Sequence, residues 1–297
     1  MIGEAASLGS AGLWALSTIA IKSVTGRLSA SYIMAVRTAI AALLILALAL
    51  VGGFGRDSLD IPFWTALLLI ASAPMAAGGD LCFVRALALA DVARVFTLTT
   101  SLYILFSVAG GVLFLGEDLS WLLPLGAVAI LFGSRLVLQD TPVEPAPVGQ
   151  AAVLTKQATG VGLVGLSVVA GLLWASGLLV LSEALNDAEP LAALTLRLPV
   201  MALAMITLAG VQGHFAQFGF APHSLRVLAL SGALALCSML CFLLAADRAE
   251  AGIVAVLTST SPIFAAALAW LVLKEQITRR VLLGTAVCML GIWLSVA

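Results

Sequence analysis

Long runs without a charged side chain dominate the sequence, and the clearest of them lies near its end. No charged residue occurs from Gly252 to Leu273. A helix rises about 1.5 Å per residue, so a run of this length crosses a hydrocarbon core of about 30 Å. Charged residues then gather in a short turn, and a second apolar run, Val281 to Ala297, follows. This pattern predicts two membrane-spanning helices joined by a turn at one membrane face.

Apolar runs of this kind recur and predict an all-α integral membrane protein with ten transmembrane helices. The predicted helices cover residues 8–24, 31–51, 63–84, 92–114, 121–138, 161–182, 190–210, 225–246, 251–273 and 279–296. Most connections are short, but residues 139–159 contain three prolines, which disfavour a helix because proline lacks an N–H and restrains its predecessor. We interpret residues 139–160 as a linker between two halves, 1–138 and 161–297.

The two halves resemble each other at a nearly constant spacing. Trp14 and Arg37 are 23 positions apart, and so are Trp174 and Arg197. Further matches, at offsets of 158 to 160, are Leu81-Cys82-Phe83 with Leu240-Cys241-Phe242, Leu98 to Ser101 with Leu257 to Thr260, and Gly126 and Gly133 with Gly284 and Gly291. Each half holds five predicted helices, an odd number, so the second half must enter from the opposite face. The sequence therefore predicts two inverted five-helix repeats, an architecture associated with transporters.

The composition agrees with a membrane protein and argues against other classes. The chain is 62% hydrophobic and 10% charged, whereas a soluble domain is about half apolar and about a quarter charged. A net charge of −1 gives no basic surface for nucleic acid. The four cysteines form no CxxC pair, so no zinc site or disulfide framework is predicted. Residues 1–25 lack the basic start of a signal peptide.

Motifs for energy coupling or catalysis do not occur in the sequence. There is no GxxxxGK phosphate loop, HExxH or GxSxG, so ATP-driven transport and intramembrane hydrolysis find no support. We therefore expect no enzyme activity, no catalytic residues, no cofactor and no metal.

Lysine and arginine predict the orientation in the membrane. We name the face that holds the first connection face A, and the opposite one face B. Face A carries Lys22, Arg27, Arg85, Arg94, Arg135, Lys156, Arg226, Lys274, Arg279 and Arg280, and face B carries Arg56 and Arg248. Because positive residues stay inside, this bias predicts a cytoplasmic face A and places both termini outside. A reporter that is active only in the cytoplasm is expected to be silent when fused after Ala297.

A short hairpin pattern in both halves resembles a known family. The second half has Ser261-Pro262, then Leu273-Lys274-Glu275, then Gly284 and Gly291; the first half has Leu115-Gly116-Glu117, then Gly126 and Gly133. With ten helices in two repeats, the chain resembles the drug/metabolite transporter superfamily, in particular its EamA-type carriers. Tyr103 stands where the second half has Pro262, and Lys274 replaces a glycine. Family members are usually drawn with both termini in the cytoplasm, opposite to the orientation above.

The resemblance implies a secondary transporter that moves small metabolites by alternating access, most of all by exporting amino acids. It places a cavity among predicted helices 1, 3, 4, 6, 8 and 9, in the inner (plasma) membrane. The expected partners are a small-molecule substrate and the lipid bilayer. A monomer suffices to enclose the cavity, and a dimer is an alternative. A passive channel of the same fold would also fit the pattern, and so would a carrier for sugars, nucleosides or organic cations.

Charged residues within the predicted helices are candidates for substrate contact, because such groups are costly in a bilayer. Arg37 and Arg197 occupy equivalent places and could meet a substrate carboxylate, or could instead snorkel or pair with a neighbouring helix. Asp80 could bind an amine or exchange a proton, or form a structural pair with Arg37. Its repeat partner is Met239, so this carboxylate breaks the symmetry.

Aromatic and hydroxyl side chains complete the candidate site. An aromatic face at Trp14 or Trp174 could stack on a ring or hold a cation, and core packing is the alternative. The predicted substrate-binding set is Trp14, Arg37, Asp80, Thr99, Ser101, Tyr103, Trp174, Arg197, Ser238 and Ser259. The hydroxyls could equally bond between helices. This set would fit an amino acid with an aromatic side chain. Glu117 and Glu275, at helix ends, are expected to form gate or interface contacts.

Overall fold

A computed structural model describes residues 1–53, 60–115, 122–139, 150–218, 221–249 and 251–296. Its helices, in chain order, are α1 (Ile2–Lys22), α2 (Ala30–Gly52), α3 (Phe63–Leu87), α4 (Val92–Gly110), α5 (Leu123–Gln139), α6 (Gln150–Ala184), α7 (Pro190–Val211), α8 (His214–Phe218), α9 (Pro222–Arg248), α10 (Ala251–Thr258), α11 (Ser261–Leu268) and α12 (Arg279–Val296). A π-helical turn follows α4 at Gly111–Leu115, and another follows α11 at Ala269–Leu273. The described residues contain no strand.

Helices occupy the places where the apolar runs predict them. Six are long and apolar enough to cross a membrane by themselves: α2, α3, α4 with its π turn, residues 160–184 of α6, α7 and α9. Leu123–Gln139 and Ser261–Leu273 are shorter apolar helices. Both halves thus contain apolar helices in the same order, and the predicted all-α fold of two repeats is confirmed.

Two helices begin earlier than predicted. Helix α6 begins at Gln150, within the predicted linker, because the three prolines all precede it and the next one is Pro190. Residues 140–149 lie outside the described residues. Helix α1 begins at Ile2 and includes Glu4 in its first turn, where the helix dipole favours a carboxylate.

Helices α5 and α12, which are repeat equivalents, pack in antiparallel contact through matched glycines. A Cβ atom at Gly133 would lie 2.7 Å from the carbonyl oxygen of Gly284, and one at Gly291 would lie 2.7 Å from that of Gly126. Only glycine permits such an approach. The later residue of α5 meets the earlier residue of α12, so the two equivalents run in opposite directions. The predicted inversion of the second half is visible in this contact.

The same symmetry relates two further interfaces. Helix α9 packs on α1, where the Ser17 and Ser231 hydroxyls lie 3.0 Å apart. Helix α3 packs on α6 in the equivalent way, and a Cβ atom at Gly177 would lie 3.3 Å from the carbonyl oxygen of Ser72. Ser72 and Ser231 are 159 positions apart, so the repeat offset found in the sequence also describes the packing.

The ninth predicted helix is broken where Pro262 occurs. Helix α10 ends at Thr258, and α11 begins at Ser261 with the proline in its first turn. The Thr260 N–H donates to the Leu257 carbonyl at 3.2 Å, which closes a tight turn between them. Helix α4, where Tyr103 replaces the proline, runs without a break.

Lys274 adopts a left-handed backbone conformation, with φ of 60°, unlike the other non-glycine residues of the described chain. This conformation costs an L residue about 1–2 kcal/mol, and glycine avoids that cost at a smaller entropic one. Lys274→Gly is therefore expected to raise the free energy of unfolding by up to about 1 kcal/mol. Thermal unfolding in detergent measures the change. Gln276→Gly, in the same turn without positive φ, is the control and should not stabilise. A lower melting temperature for Lys274→Gly would contradict the prediction.

Candidate functional site

An ion pair between α2 and α3 lies within the apolar part of the bundle. A terminal nitrogen of Arg37 is 3.7 Å from Oδ2 of Asp80, and the other donates to the Ser17 hydroxyl at 3.4 Å. The Nε of Arg37 is enclosed without a hydrogen-bond partner. Asp80 nevertheless retains 25% of its side-chain surface, so the carboxylate is paired but not sealed. The structural pairing considered for Asp80 therefore occurs, and part of its side chain stays accessible.

Trp174 of α6 holds the other oxygen of this carboxylate. Its Nε1–H donates to Oδ1 of Asp80 at 2.9 Å. The indole can approach because α3 has no side chain at Gly79, where a Cβ atom would lie 2.7 Å from Nε1. The glycine pair before Asp80 thus allows α6 to pack closely on α3, and an indole from the second repeat meets a carboxylate of the first.

Aromatic rings from four helices surround this polar centre. Trp14 lies 5.8 Å from Trp174 and 4.6 Å from Phe96, measured between ring centroids. Phe83 and Tyr103 lie 5.3 Å and 5.9 Å from Trp174. Phe83 and Phe96 are buried, whereas both tryptophans and Tyr103 are half-buried. We call these five residues the aromatic cluster. Its tryptophans and tyrosine offer ring surface to a ligand, and its phenylalanines form a closed layer beneath them.

Arg197 of α7 lies towards the opposite face from Arg37. Its Nε donates to the Ser72 hydroxyl at 3.1 Å. Ser72 and Asp80 are eight positions apart on α3, about 12 Å along the helix axis. The Asp80 carboxylate is near enough to act electrostatically on Arg197. The structure therefore brings five of the predicted residues to one centre: Trp14, Arg37, Asp80, Tyr103 and Trp174. Arg197, the sixth, binds α3 two turns further towards face B.

Two predicted hydroxyls of α4 lie at helix contacts instead. The Thr99 hydroxyl donates to that of Ser167 on α6 at 3.2 Å, and both are buried. The Ser101 hydroxyl is buried and has no hydrogen-bond partner among the described residues. Thr99 therefore joins α4 to α6, whereas Ser101 makes no such bond.

The predicted hydroxyls of the second repeat have similar surroundings. Ser238 of α9 donates to the Ser10 carbonyl of α1 at 2.8 Å. Ser259, at the break between α10 and α11, accepts from Nε1 of Trp293 at 3.2 Å. These bonds correspond to the alternative of hydroxyls that bond between helices.

Helix α4 is less covered towards face B than towards face A. Residues 92–101 of α4, nearer face A, are all buried, whereas residues 102–109, nearer face B, are all half-buried. At face A, α4 packs against α11 and α12 through Ala93, Ala266 and Val281. We call the less covered surface at residues 102–109 the face-B cleft. Tyr103 lies on it, with its ring 5.9 Å from that of the half-buried Trp174.

Polar contacts tie the helices together at face A, within the first repeat and between the two repeats. An oxygen of Glu275, in the turn before α12, accepts the N–H of Val92 at the start of α4 at 2.9 Å. Lys22 donates to the Leu87 and Ala90 carbonyls at 2.6 and 2.8 Å, which ties α1 to the turn between α3 and α4. Glu275 thus makes the interface contact expected of it. Glu117 lies outside the described residues.

A second polar contact joins the repeats at face A. Nδ1 of His214 lies 2.8 Å from the hydroxyls of Ser29 and Ser31, at the start of α2. Ser31 also donates to the Gln212 side chain at 2.6 Å. A recess of about 380 Å³ beside these residues also includes Arg85. It contains none of the aromatic cluster, so we do not assign it to the central site.

Glu275 should make the closure of face A sensitive to pH. Burial, and to a smaller extent Asp91, raises the pKa of its carboxyl, against the opposing effects of Lys22 and the α4 backbone. A raised pKa favours the protonated form, so this contribution to stability is full below about pH 4.5 and is lost as pH rises through the raised pKa. We expect the melting temperature of the Glu275→Gln variant to depend less on pH than that of the wild type. Glu183→Gln, at an exposed helix end, is the control; an unchanged profile for Glu275→Gln would contradict the prediction.

Inverted repeats around a polar centre within apolar helices are the architecture of membrane transporters. The EamA-like transporter family matches this chain over residues 1–139 and again over 161–297, once for each repeat. The chain belongs to this family and is therefore a membrane transporter of small molecules. The resemblance found in the sequence is thereby confirmed.

Comparison with a solved structure supports the fold and gives no information about function. A crystal structure whose description names no activity is similar over 98% of this chain and 95% of its own, with a TM-score of 0.67 at 16% identity. No curated protein matches the chain at a significant level.

Proposed function

We propose that this protein is a secondary transporter that exports amino acids, those with aromatic side chains foremost, across the inner membrane by alternating access. The observation that carries the proposal is the polar centre of Arg37, Asp80 and Trp174 within the apolar helices, next to the other rings of the aromatic cluster. The family supports transport of small molecules, and the finer statement rests on this centre.

The centre offers one partner for each group of an aromatic amino acid. A carboxylate can accept hydrogen bonds from a guanidinium, and an ammonium group can pair with Asp80. A ring can stack on Trp14 or Trp174, whose half-buried faces are accessible from the cleft. Three groups bound at once would orient the molecule along α3, between the two arginines.

The inverted repeats supply the two states that alternating access needs. In the present state Glu275 and His214 join the two repeats at face A, and α4 is less covered towards face B. Exchange of the two repeat conformations would close face B and open face A around the same centre. If face A is cytoplasmic, as the charge bias predicts, the present state opens outward.

Counterflow in proteoliposomes tests the proposal. Purified protein is reconstituted, and uptake of a panel of radiolabelled amino acids is measured with and without unlabelled substrate inside, and with and without a pH gradient. We expect saturable uptake that internal substrate accelerates. The Trp174→Ala variant should show no saturable uptake. Protein-free vesicles give the background uptake. Uptake that grows linearly and ignores internal substrate would support a passive channel and overturn the proposal.

A further inference from the structure

The central site contains an excess of positive charge. Three charged residues lie seven positions from the nearer end of a described helix: Arg37 (from Ala30), Asp80 (from Leu87) and Arg197 (from Pro190). The other charged residues of the described helices lie nearer to a helix end. A guanidinium remains protonated in proteins. Two arginines and one ionised aspartate therefore give the centre a net charge of +1.

Arg197 is the arginine whose positive charge is not compensated. Arg37 is compensated by the Asp80 carboxylate at 3.7 Å, whereas no carboxylate of the described residues pairs with Arg197. Its Nε is satisfied by Ser72, but its two terminal nitrogens make no hydrogen bond within the described chain. Neither of them is among the fully enclosed polar atoms without a partner, which include Nε of Arg37. Two accessible donors in a fixed fork match the geometry of a carboxylate.

The repeat symmetry explains how the excess arises. The position equivalent to Asp80 holds Met239, a half-buried side chain that packs on the core. The first repeat therefore supplies a carboxylate for its arginine, and the second does not. The substrate is the remaining source of a negative charge.

We propose that the centre prefers an aromatic monoanion, a carboxylate with an arene and no ammonium group, whose carboxylate binds Arg197. Tyr103 supports this placement because its half-buried ring lies 5.9 Å from that of Trp174, on the α4 side of the cluster. A zwitterion leaves the centre at +1, and its ammonium competes with Arg37 for Asp80. The inference rests on the proposed carrier function and changes its order of substrates: aromatic monoanions come before aromatic amino acids.

Three ligands with one ring and different net charges test the preference. Binding of 3-phenylpropionate, phenylalanine and phenethylamine, with charges of −1, 0 and +1, is measured by quenching of tryptophan fluorescence of the purified full chain. We expect the anion to bind at least about tenfold more tightly than the zwitterion, and the cation most weakly. Equal or tighter binding of phenylalanine overturns the inference, and so does a failure of the anion to bind at millimolar concentration.

Met239→Asp provides a test by charge within the same fold. It adds a carboxylate at the position that is equivalent to Asp80 and lowers the summed charge of these helix-interior residues from +1 to 0. We expect it to weaken binding of 3-phenylpropionate about tenfold while phenethylamine binds better, whereas Met239→Asn, similar in size and neutral, should keep the wild-type order. Arg197→Gln should abolish the preference for the anion, with the melting temperature as a check of folding. If Met239→Asp or Arg197→Gln binds the three ligands in the same order of affinity as the wild type, the inference is overturned.

Measurements of flux and of binding together distinguish a failure of this inference from a failure of the proposed function. Saturable counterflow with phenylalanine preferred over the anion would leave the carrier function intact and overturn the charge preference. Tight binding of the anion without carrier-type flux of any ligand would do the reverse.

Discussion

Asp80→Asn is expected to lower the free energy of unfolding by about 3 kcal/mol and to abolish saturable transport. Removing one partner of a buried ion pair leaves the other charge uncompensated, at a cost of about 3–5 kcal/mol. We take the lower end because a quarter of the Asp80 side chain remains accessible. The variant also replaces the acceptor that holds Nε1 of Trp174 with an amide. Chemical denaturation in detergent and counterflow measure the two effects.

The double variant Arg37→Met/Asp80→Leu is the matched control. Replacing both charges with apolar side chains of similar size is often neutral for stability, since no buried charge is left without a partner. We therefore expect near wild-type stability without transport. A double-mutant cycle gives the coupling of the two residues. If Asp80→Asn unfolds as the wild type does, the pair does not compensate Arg37 in the way the geometry indicates.

The gross architecture was predictable because the bilayer restricts backbone structure strongly. A chain in hydrocarbon must satisfy its backbone groups internally, so an apolar run of about 20 residues has few alternatives to a helix. The spacing from Trp14 to Arg37, repeated from Trp174 to Arg197, reflects a duplicated structure, and the matched glycines of α5 and α12 reflect its closest contact. The charged candidates were found for the same reason, because a charge at this depth is costly unless it has a partner.

The assignment of side chains to the cleft was less predictable. In a helix of a soluble protein the polar face is exposed to water, so the apolar face identifies the core side. Here lipid-facing and core-facing positions are both apolar, and the pattern does not distinguish them. Phe83 and Phe96 therefore carried no signal that distinguished them from phenylalanines facing lipid, although Phe83 occurs in a repeated triplet. Likewise, Ser238 and Ser259 resembled cavity residues in the sequence, and the structure places their hydroxyls between helices.

The excess charge could be counted in the sequence, but its location could not. The sequence places Arg37 in the helix next to that of Asp80 and Arg197 in helix 7, but it does not give the arrangement of the helices. In the structure α3 packs on both α2 and α7, and Arg37 meets it at Asp80 whereas Arg197 meets it two turns away, at Ser72. The proposed preference for an anionic substrate rests on this assignment, because it leaves the arginine of the second repeat without a carboxylate.

Gly79→Ala should reduce saturable transport at least about tenfold and destabilise the protein by about 1–3 kcal/mol, because overpacking forces side chains out of their favoured positions. The added methyl group would lie 2.7 Å from Nε1 of Trp174, and the indole cannot retreat without losing its bond to Asp80. Gly78→Ala is the control: its methyl group meets the flexible end of Leu173 at 3.2 Å, which can shift by a few tenths of an ångström. The two variants add the same group to adjacent residues of one helix. A difference in counterflow between them therefore reports the position of Trp174, and equal activities would show that this contact does not determine transport.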